Sequence, residues 1–255
     1  MKKSLYEKFT KRFLDIVLSF LAIIILLPLF LIVSLLSFIF MGRDIILKQY
    51  RPGKNGKIFT LYKFRTMKNL YDENGDLLPD EKRFTKYGRI LRKTSLDELP
   101  QLFNILKGDM SIVGPRPRLI KDMIFYDDYV LQKAYSVRPG LTGPAQVYDR
   151  CSVASWEEVF RRDIEYAEKI TFWNDLKMVF GTVKALFTKD KHHTQKRDYY
   201  YCDYLLKSNL ITKEQYDLGL SRAKTMNNKS SISYSPDLHK NVELNETTDR
   251  QIESK

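Results

Sequence analysis

The stretch at residues 16–41, IVLSFLAIIILLPLFLIVSLLSFIFM, contains no charged side chain. It exceeds the roughly 20 apolar residues that a helix needs to cross about 30 Å of hydrocarbon, so membrane contact is expected. It is too long for the apolar part of a cleaved leader, and no small-residue cleavage pattern follows it, so a permanent anchor is expected. Pro28 lies near its middle, where it removes one backbone hydrogen bond and crowds the carbonyl of the preceding turn; a bend is expected there. Lys2, Lys3, Lys8, Lys11 and Arg12 precede the run, and Arg43, Lys48, Arg51, Lys54 and Lys57 follow it. Cytoplasmic flanks collect Lys and Arg, so both ends are expected on the cytoplasmic side of a re-entrant hairpin broken at Pro28. A kinked spanning helix is the competing reading. Asp15 follows Lys11 and Arg12 at i+4 and i+3, a spacing that neutralises a carboxylate on one helix face.

The 255-residue chain has room for one sizeable domain with accessories. Its 43 Lys and Arg against 31 Asp and Glu leave a net charge of +12, which favours a polyanionic partner: nucleic acid, anionic lipid or nucleotide phosphate. Cys151 and Cys202 form no metal-ligand spacing. The three histidines, His192, His193 and His239, fall in the polar C-terminal stretch, which disfavours histidine catalysis and histidine-bound zinc.

After the apolar run, residues 45–49 and 58–65 read as strands flanking Pro52-Gly53-Lys54-Asn55-Gly56, where Asn-Gly suits a tight turn. On the second strand Lys63, Arg65 and Met67 share one face while Tyr62, Phe64 and Thr66 share the other. Residues 68–82 read as a solvated loop; the acidic run from Asp72 to Asp76 lacks the glycine and glutamate positions of a calcium loop. Leu96, Leu99, Leu102, Phe103 and Leu106 repeat at helical spacing until Gly108 and predict a helix that buries that face. Phe172, Trp173, Leu176, Val179, Phe180, Val183, Leu186 and Phe187 form a second apolar stripe, either packed on the core or lying in a membrane surface. Residues 202–226 predict a small helical pair acting as an interaction appendage, and the composition beyond residue 229 predicts disorder.

Asp97 and Glu98 are the residues best suited to carry chemistry. Ser95 and Glu98 have capping-box spacing, and acids at a helix start complement its dipole, so a structural role accounts for them taken alone. Pro100 prefers the first helical turn, which would leave both acids in the turn before it. Arg89, Arg92 and Lys93 precede the pair, and Arg116 and Arg118 follow in Gly114-Pro115-Arg116-Pro117-Arg118, so the carboxylates are expected to stay ionised. An ionised carboxylate can attack phosphorus if cations, here arginines and a magnesium ion, screen the repulsion from a diphosphate. The prolines flanking Arg116 hold it extended for bidentate phosphate contact, although a rigid surface connection is the plainer meaning of such a run. The hairpin adds Arg51, Lys57, Lys63 and Arg65.

The chain resembles the bacterial sugar transferases known as monotopic phosphoglycosyl transferases. The resemblance rests on Lys11-Arg12-x-x-Asp15, Gln49-x-Arg51-x-Gly53-x-x-Gly56-Lys57, Lys63-Phe64-Arg65-Thr66-Met67, Arg92-Lys93-Thr94-Ser95-Leu96-Asp97-Glu98-Leu99-Pro100-Gln101, Gly108-Asp109-Met110-Ser111, Gly114-Pro115-Arg116-Pro117 and Arg138-Pro139-Gly140-Leu141-Thr142-Gly143, in family order over residues 11–189. It implies an α+β protein: a re-entrant anchor at residues 1–42, and a small, mostly helical catalytic domain at 43–189 with a β-hairpin and membrane-surface amphipathic helices. Residues 190–255 form a polar appendage that inherits nothing from the family.

The resemblance also implies transfer of a C1-phosphosugar from a UDP-sugar to undecaprenyl phosphate with release of UMP, the step that initiates surface-glycan assembly. Asp97 would be the nucleophile, Glu98 would assist through Mg2+ so that both carboxylates are metal ligands, Arg116 would bind phosphate, and Lys63 and Arg65 would shape the site with Arg92, Arg51 and Lys57. Pro28 would set the membrane hairpin. The expected setting is the bacterial inner membrane with the catalytic domain facing the cytoplasm, without nucleic acid, and with a homodimer open. Leu27 replaces a small polar residue often found before the proline. Pro144 and Tyr148-Asp149 also depart from the family pattern and predict unusual sugar specificity. A glycosyltransferase releasing UDP and a non-catalytic basic assembly protein are the rival readings.

Overall fold

The computed structural model describes residues 4–75, 78–148, 155–187 and 200–228. Lys2, Lys3, Asp76, Asp149, Cys151, His192, His193, His239 and the tail from residue 229 lie outside the described residues. The chain divides into two compact units, a first of residues 12–49 and 60–108, and a second of residues 1–11, 50–59 and 109–255. Among the described residues helices dominate, with two small sheets.

A π-helical turn, Tyr6–Thr10, leads into α1, Lys11–Ile25, and α2, Leu27–Met41. Among the described residues no single helix is long and apolar enough to cross a membrane, but this pair, bent by 64° at the break between its members, passes the same test of length and apolarity together. The break centres on Leu26, at φ −89° and ψ 4°, because Pro28, the second residue of α2, has no N–H to give and its ring excludes the carbonyl of the preceding turn. The burial of this pair is inverted. Asp15, Ser19 and Ser37 are buried, whereas Phe13, Ile25, Leu31, Leu35 and Ile39 are exposed.

In the first unit α2 is held by one narrow face. Ser37 Oγ and Tyr87 OH lie 2.9 Å apart, Tyr87 OH donates to Val33 O at 3.1 Å, and Phe40 stacks on the Tyr87 ring. Val33 packs with Phe64 and Leu91, joined by Leu29 and Phe30. The strands β1, Ile46–Pro52, and β2, Ile58–Phe64, form the expected hairpin, whose turn belongs to the second unit and whose open end to the first. Asn55 (φ 56°) and Gly56 (φ 71°) supply the positive dihedrals that Asn-Gly predicts.

The short α3, Asp80–Arg83, ends an exposed loop and leads to α4, Lys86–Thr94, whose N-cap Thr85 accepts from Gly88 N at 2.9 Å. Helix α5, Gln101–Lys107, stops at Gly108 in the left-handed region (φ 97°), as the sequence predicts. Its buried face differs from the expected stripe: Gln101, Leu102, Asn104 and Ile105 are inside, while Phe103 is exposed and meets the Phe30 ring edge-on at 5.8 Å. The helix begins at Gln101 rather than Leu96, so the seven-residue cylinder is phased by its own start and not by the leucines before it. Arg12 caps it, donating to Ile105 O at 2.6 Å and Leu106 O at 2.9 Å.

The second unit holds a pair of strands that the sequence reading did not anticipate. β3, Ser111–Val113, and β4, Gly140–Thr142, run parallel with Ser111 opposite Gly140 and Val113 opposite Thr142. Gly114, Gly140 and Gly143 lack Cβ atoms for a common reason: each would be driven into the backbone of the other strand. Helices α6, Ile120–Met123, and α7, Asp128–Ala134, form the crossover; α8, Pro144–Tyr148, α9, Trp156–Glu168, and α10, Phe172–Phe187, follow. On α10 Asp175 and Met178 face inward, while Phe172, Trp173, Phe180 and Val183 remain exposed. The helical pair expected at 202–226 exists as α11, Tyr201–Lys207, and α12, Lys213–Asn228. It packs with Tyr126, Phe125 and Trp156: Cys202 and Leu205 are fully buried, and Gly219 faces the Phe125 ring.

Gly88 of α4 lies so close to the backbone of Thr66 that a Cβ would penetrate the Thr66 carbonyl. Gly88→Ala is expected to destabilise the first unit by about 1–3 kcal/mol through overpacking, read as a lowered thermal unfolding midpoint of the detergent-solubilised protein.

Candidate active site

Asp97 and Glu98 lie on a 3-10 turn, Leu96–Glu98, between α4 and α5. Two backbone features create it. Ser95 is left-handed (φ 57°, ψ 17°) and ends α4, its N–H donating to Arg92 O, and Pro100 (φ −62°) stands at the N-cap of α5. The capping box does not form, because Ser95 makes no side-chain cap and serves as the hinge between helices. The acids therefore precede the helix, as Pro100 allows.

Asp97 is only 7% exposed. Burial pushes its carboxyl pKa above the ordinary 3.8; Lys63 pulls it down, Glu98 raises it again and Arg92 pulls it down. The sequence reading expected neighbouring cations to dominate, but loss of water around the carboxyl is the larger influence. Glu98 is held by Lys63 Nζ at 2.7 Å from its Oε1. Arg92 is itself exposed; its Nε donates to Thr66 Oγ1 at 3.2 Å and its guanidinium covers the Phe84 ring at 4.3 Å. Arg65 is turned to the neighbouring loops, with Nε donating to Asp44 O and Nη1 to Asn69 Oδ1.

The other expected cations belong to the second unit. Arg51 buries its Nε and donates from Nη1 to Pro117 O at 3.1 Å. Burial, then Arg116, lowers its pKa to about 10, against the opposing pull of Asp122. Arg116 sits between two prolines on a segment fixed by Gly114 N donating to Thr142 O and Gly140 N to Pro115 O, both at 2.9 Å. Arg118 lies 4.8 Å over the Trp156 ring. Asp122 is buried and accepts from Cys202 N at 3.4 Å; burial raises its pKa. Lys57 is exposed at the hairpin turn, where its carbonyl accepts from Gly53 N at 2.8 Å.

Lys63, Arg92, Asp97 and Glu98 thus form one constellation, and Arg51 and Arg116, with Arg118, another. Sequence reasoning took Arg118 only as a cation near the acidic pair; it missed Asp122, an ordinary charged residue until the fold buries it, and Asn104, whose only signal was a carboxamide inside an apolar helix. Among the described residues no group of three or more His, Cys, Asp or Glu is arranged to hold a metal. Two adjacent carboxylates fit magnesium all the same, since that ion takes one or two protein carboxylates and completes its shell with water and substrate phosphate.

The family model described as bacterial sugar transferase matches residues 6–189. The sugar transferase EpsL of Bacillus subtilis is 48% identical over 149 residues, covering 58% of this chain and 73% of that protein. The UDP-glucose:undecaprenyl-phosphate glucose-1-phosphate transferase of Caulobacter vibrioides is 38% identical over 189 residues, 71% of this chain and 70% of that protein. The undecaprenyl-phosphate galactose phosphotransferase of Salmonella typhimurium is 39% identical over 201 residues, 73% of this chain but 42% of that longer protein.

A carboxyl with a raised folded pKa holds its proton more tightly in the folded chain than in the unfolded one. Stability therefore falls as pH rises from about 3.8 through the raised value, and the cost is fully present above it. Asp97→Asn is expected to raise the thermal midpoint at neutral pH, with a gain that shrinks as pH is lowered towards 3.8, measured by unfolding scans across pH.

Proposed function

This chain belongs to the bacterial sugar transferase family, and we propose that it transfers a sugar 1-phosphate from a UDP-sugar to undecaprenyl phosphate through a covalent intermediate on Asp97. The observation that carries the reading is a buried carboxylate, Asp97, under the charges of Lys63 and Arg92 and beside a glutamate ion-paired to that lysine. Burial strips water from the carboxylate and makes it more basic, which raises its nucleophilicity once ionised. The cations keep enough of it ionised to react.

In the first half-reaction an Asp97 oxygen attacks the phosphorus that bears the sugar, and the bond from that phosphorus to the bridging oxygen breaks. UMP leaves with the electron pair. In the second, a phosphate oxygen of undecaprenyl phosphate attacks the same phosphorus and the Asp97 carboxylate departs, giving the lipid diphosphosugar that begins surface-glycan assembly. Lys63 orients Glu98 and offsets its charge, and Arg116 binds phosphate. Magnesium, held by Asp97 and Glu98, would neutralise phosphate charge when bound.

We read the bent pair α1–α2 as a re-entrant anchor in the inner membrane, with the catalytic residues on the cytoplasmic side. Each 15-residue helix is about 22 Å long at 1.5 Å per residue, less than the hydrocarbon thickness, and both flanks are basic. Their exposed faces are apolar, as lipid contact requires. The exposed aromatic face of α10 is consistent with a helix resting in the headgroup region.

Purified protein given UDP-sugar and magnesium without lipid is expected to acquire a phosphosugar mass on Asp97 and release one UMP per adduct, and addition of undecaprenyl phosphate is expected to discharge the adduct as the lipid diphosphosugar. Adduct formation should accelerate as pH rises through the Asp97 pKa, and Asp97→Asn should lower turnover by about 10⁴-fold or more. UDP as product would mean glycosyl transfer instead, and parental turnover in Asp97→Asn would mean a different nucleophile.

A further inference from the structure

Asn104 is fully buried at the centre of α5, yet no chemistry has been assigned to it. Its carboxamide makes a two-way connection to one edge of β2: Nδ2 donates to Thr60 O at 2.7 Å, and Oδ1 accepts from Tyr62 N at 3.1 Å. Arg65 N, at the end of the strand, donates to Ile45 O on the β1 side. By strand alternation Leu61 and Lys63 direct their backbone groups to that side too, leaving those of Thr60 and Tyr62 on the open edge. Asn104 occupies that edge as a partner strand would. A planar amide, with one acceptor and one donor group, can satisfy a carbonyl and the N–H two residues later; an apolar residue would leave both half-buried groups without that partner.

We propose that Asn104 is a positioning residue for the reaction, fixing Lys63 against the Asp97–Glu98 turn. The connections close a ring within the first unit. The turn leads through Leu99 and Pro100 into α5; Asn104 ties α5 to residues 60–62; the next residue, Lys63, returns to Glu98 Oε1 at 2.7 Å. Lys63 also acts on the Asp97 carboxyl. A slip of β2 along α5 would move the Lys63 ammonium relative to both carboxylates without touching either, so the amide governs the electrostatics of the site from a buried position. The proposal rests on the reading of Asp97 as nucleophile, and it adds what holds that residue's cation in register.

The test uses the full-length protein in detergent with UDP-sugar, magnesium and undecaprenyl phosphate, comparing the parent with Asn104→Leu, Asn104→Asp, Lys63→Met and the double variant Asn104→Leu/Lys63→Met. In Asn104→Leu, kcat for UMP release is expected to fall about 10- to 100-fold, with KM for the UDP-sugar changed by less than about threefold, as expected for misplacement of a catalytic group by ångströms or less. In the Lys63→Met background the same substitution should cost little more, because its effect runs through Lys63. Asn104→Asp provides the check if the leucine variant does not fold: its protonated carboxyl can donate to Thr60 O and accept from Tyr62 N, so its turnover relative to the parent should rise as pH falls. Parental kcat in Asn104→Leu, independent multiplication of the two single effects, or a pH-invariant ratio for Asn104→Asp would each overturn the proposal. Turnover and adduct are read separately. Absence of the Asp97 adduct in the parent would remove the nucleophile reading, while the coupling between Asn104 and Lys63 would still be decided by UMP release.

Discussion

The ion pair between Lys63 and Glu98 joins the two backbone features on which the first unit is built, a strand edge and a turn that fails to become helix. Each needs the other. The turn exists because Ser95 enters the left-handed region and Pro100 delays α5, and neither feature alone fixes where the two carboxylates point. Lys63 supplies that constraint at a half-buried site, where a charge pair is screened less than at the surface. The packing of α4 on Thr66 through Gly88, and of α2 on α4 through Tyr87, then fastens the same strand to the apolar helix pair. The Asp97–Glu98 turn and the apolar helix pair are consequently parts of one compact unit.

Much of this could be read directly from residues. The uncharged run with Pro28 predicted two helices and a bend; the Asn55-Gly56 turn predicted the hairpin; Gly108 predicted the end of α5; Pro100 predicted acids in a turn ahead of that helix. These signals succeed because each is local, a missing N–H or a positive dihedral that the residue type itself dictates. What escaped the sequence is non-local. β3 and β4 have three residues each, too few for an alternation to register, and they are recognisable only through glycines that permit close backbone approach. The inward face of α5 escaped because Asn104 is polar, and its reason for burial lies on a strand some 40 residues earlier in the chain.

The C-terminal helices show the same limit. Their composition is polar enough to suggest a surface appendage, yet Tyr201, Cys202 and Leu205 complete a core with Tyr126, Trp156 and Phe160. The family match stops at residue 189, so this part of the core is built from chain that the family model does not cover. It backs α6, the helix that begins just after Arg116 and Arg118, with Cys202 N bonded to Asp122 and Lys121 Nζ 3.2 Å over the Tyr200 ring. The arginine-bearing segment is thus braced on one side by the parallel strands and on the other by these helices.

Two equally buried aspartates, Asp97 and Asp175, differ in what their oxygens receive. Asp175 is as buried as Asp97, but its oxygens receive Tyr6 OH at 2.7 Å, Lys11 Nζ at 2.5 Å and Tyr166 OH at 2.6 Å. Those donors occupy its lone pairs and convert it into a fastening between the N-terminal turn, α9 and α10. Asp97 accepts a hydrogen bond from its own backbone, and among the described residues its cations act through space, while its burial is opposed rather than cancelled. A carboxylate saturated with donors is a poor nucleophile and a good strut; one that is dehydrated, charged and incompletely bonded has lone pairs left for phosphorus.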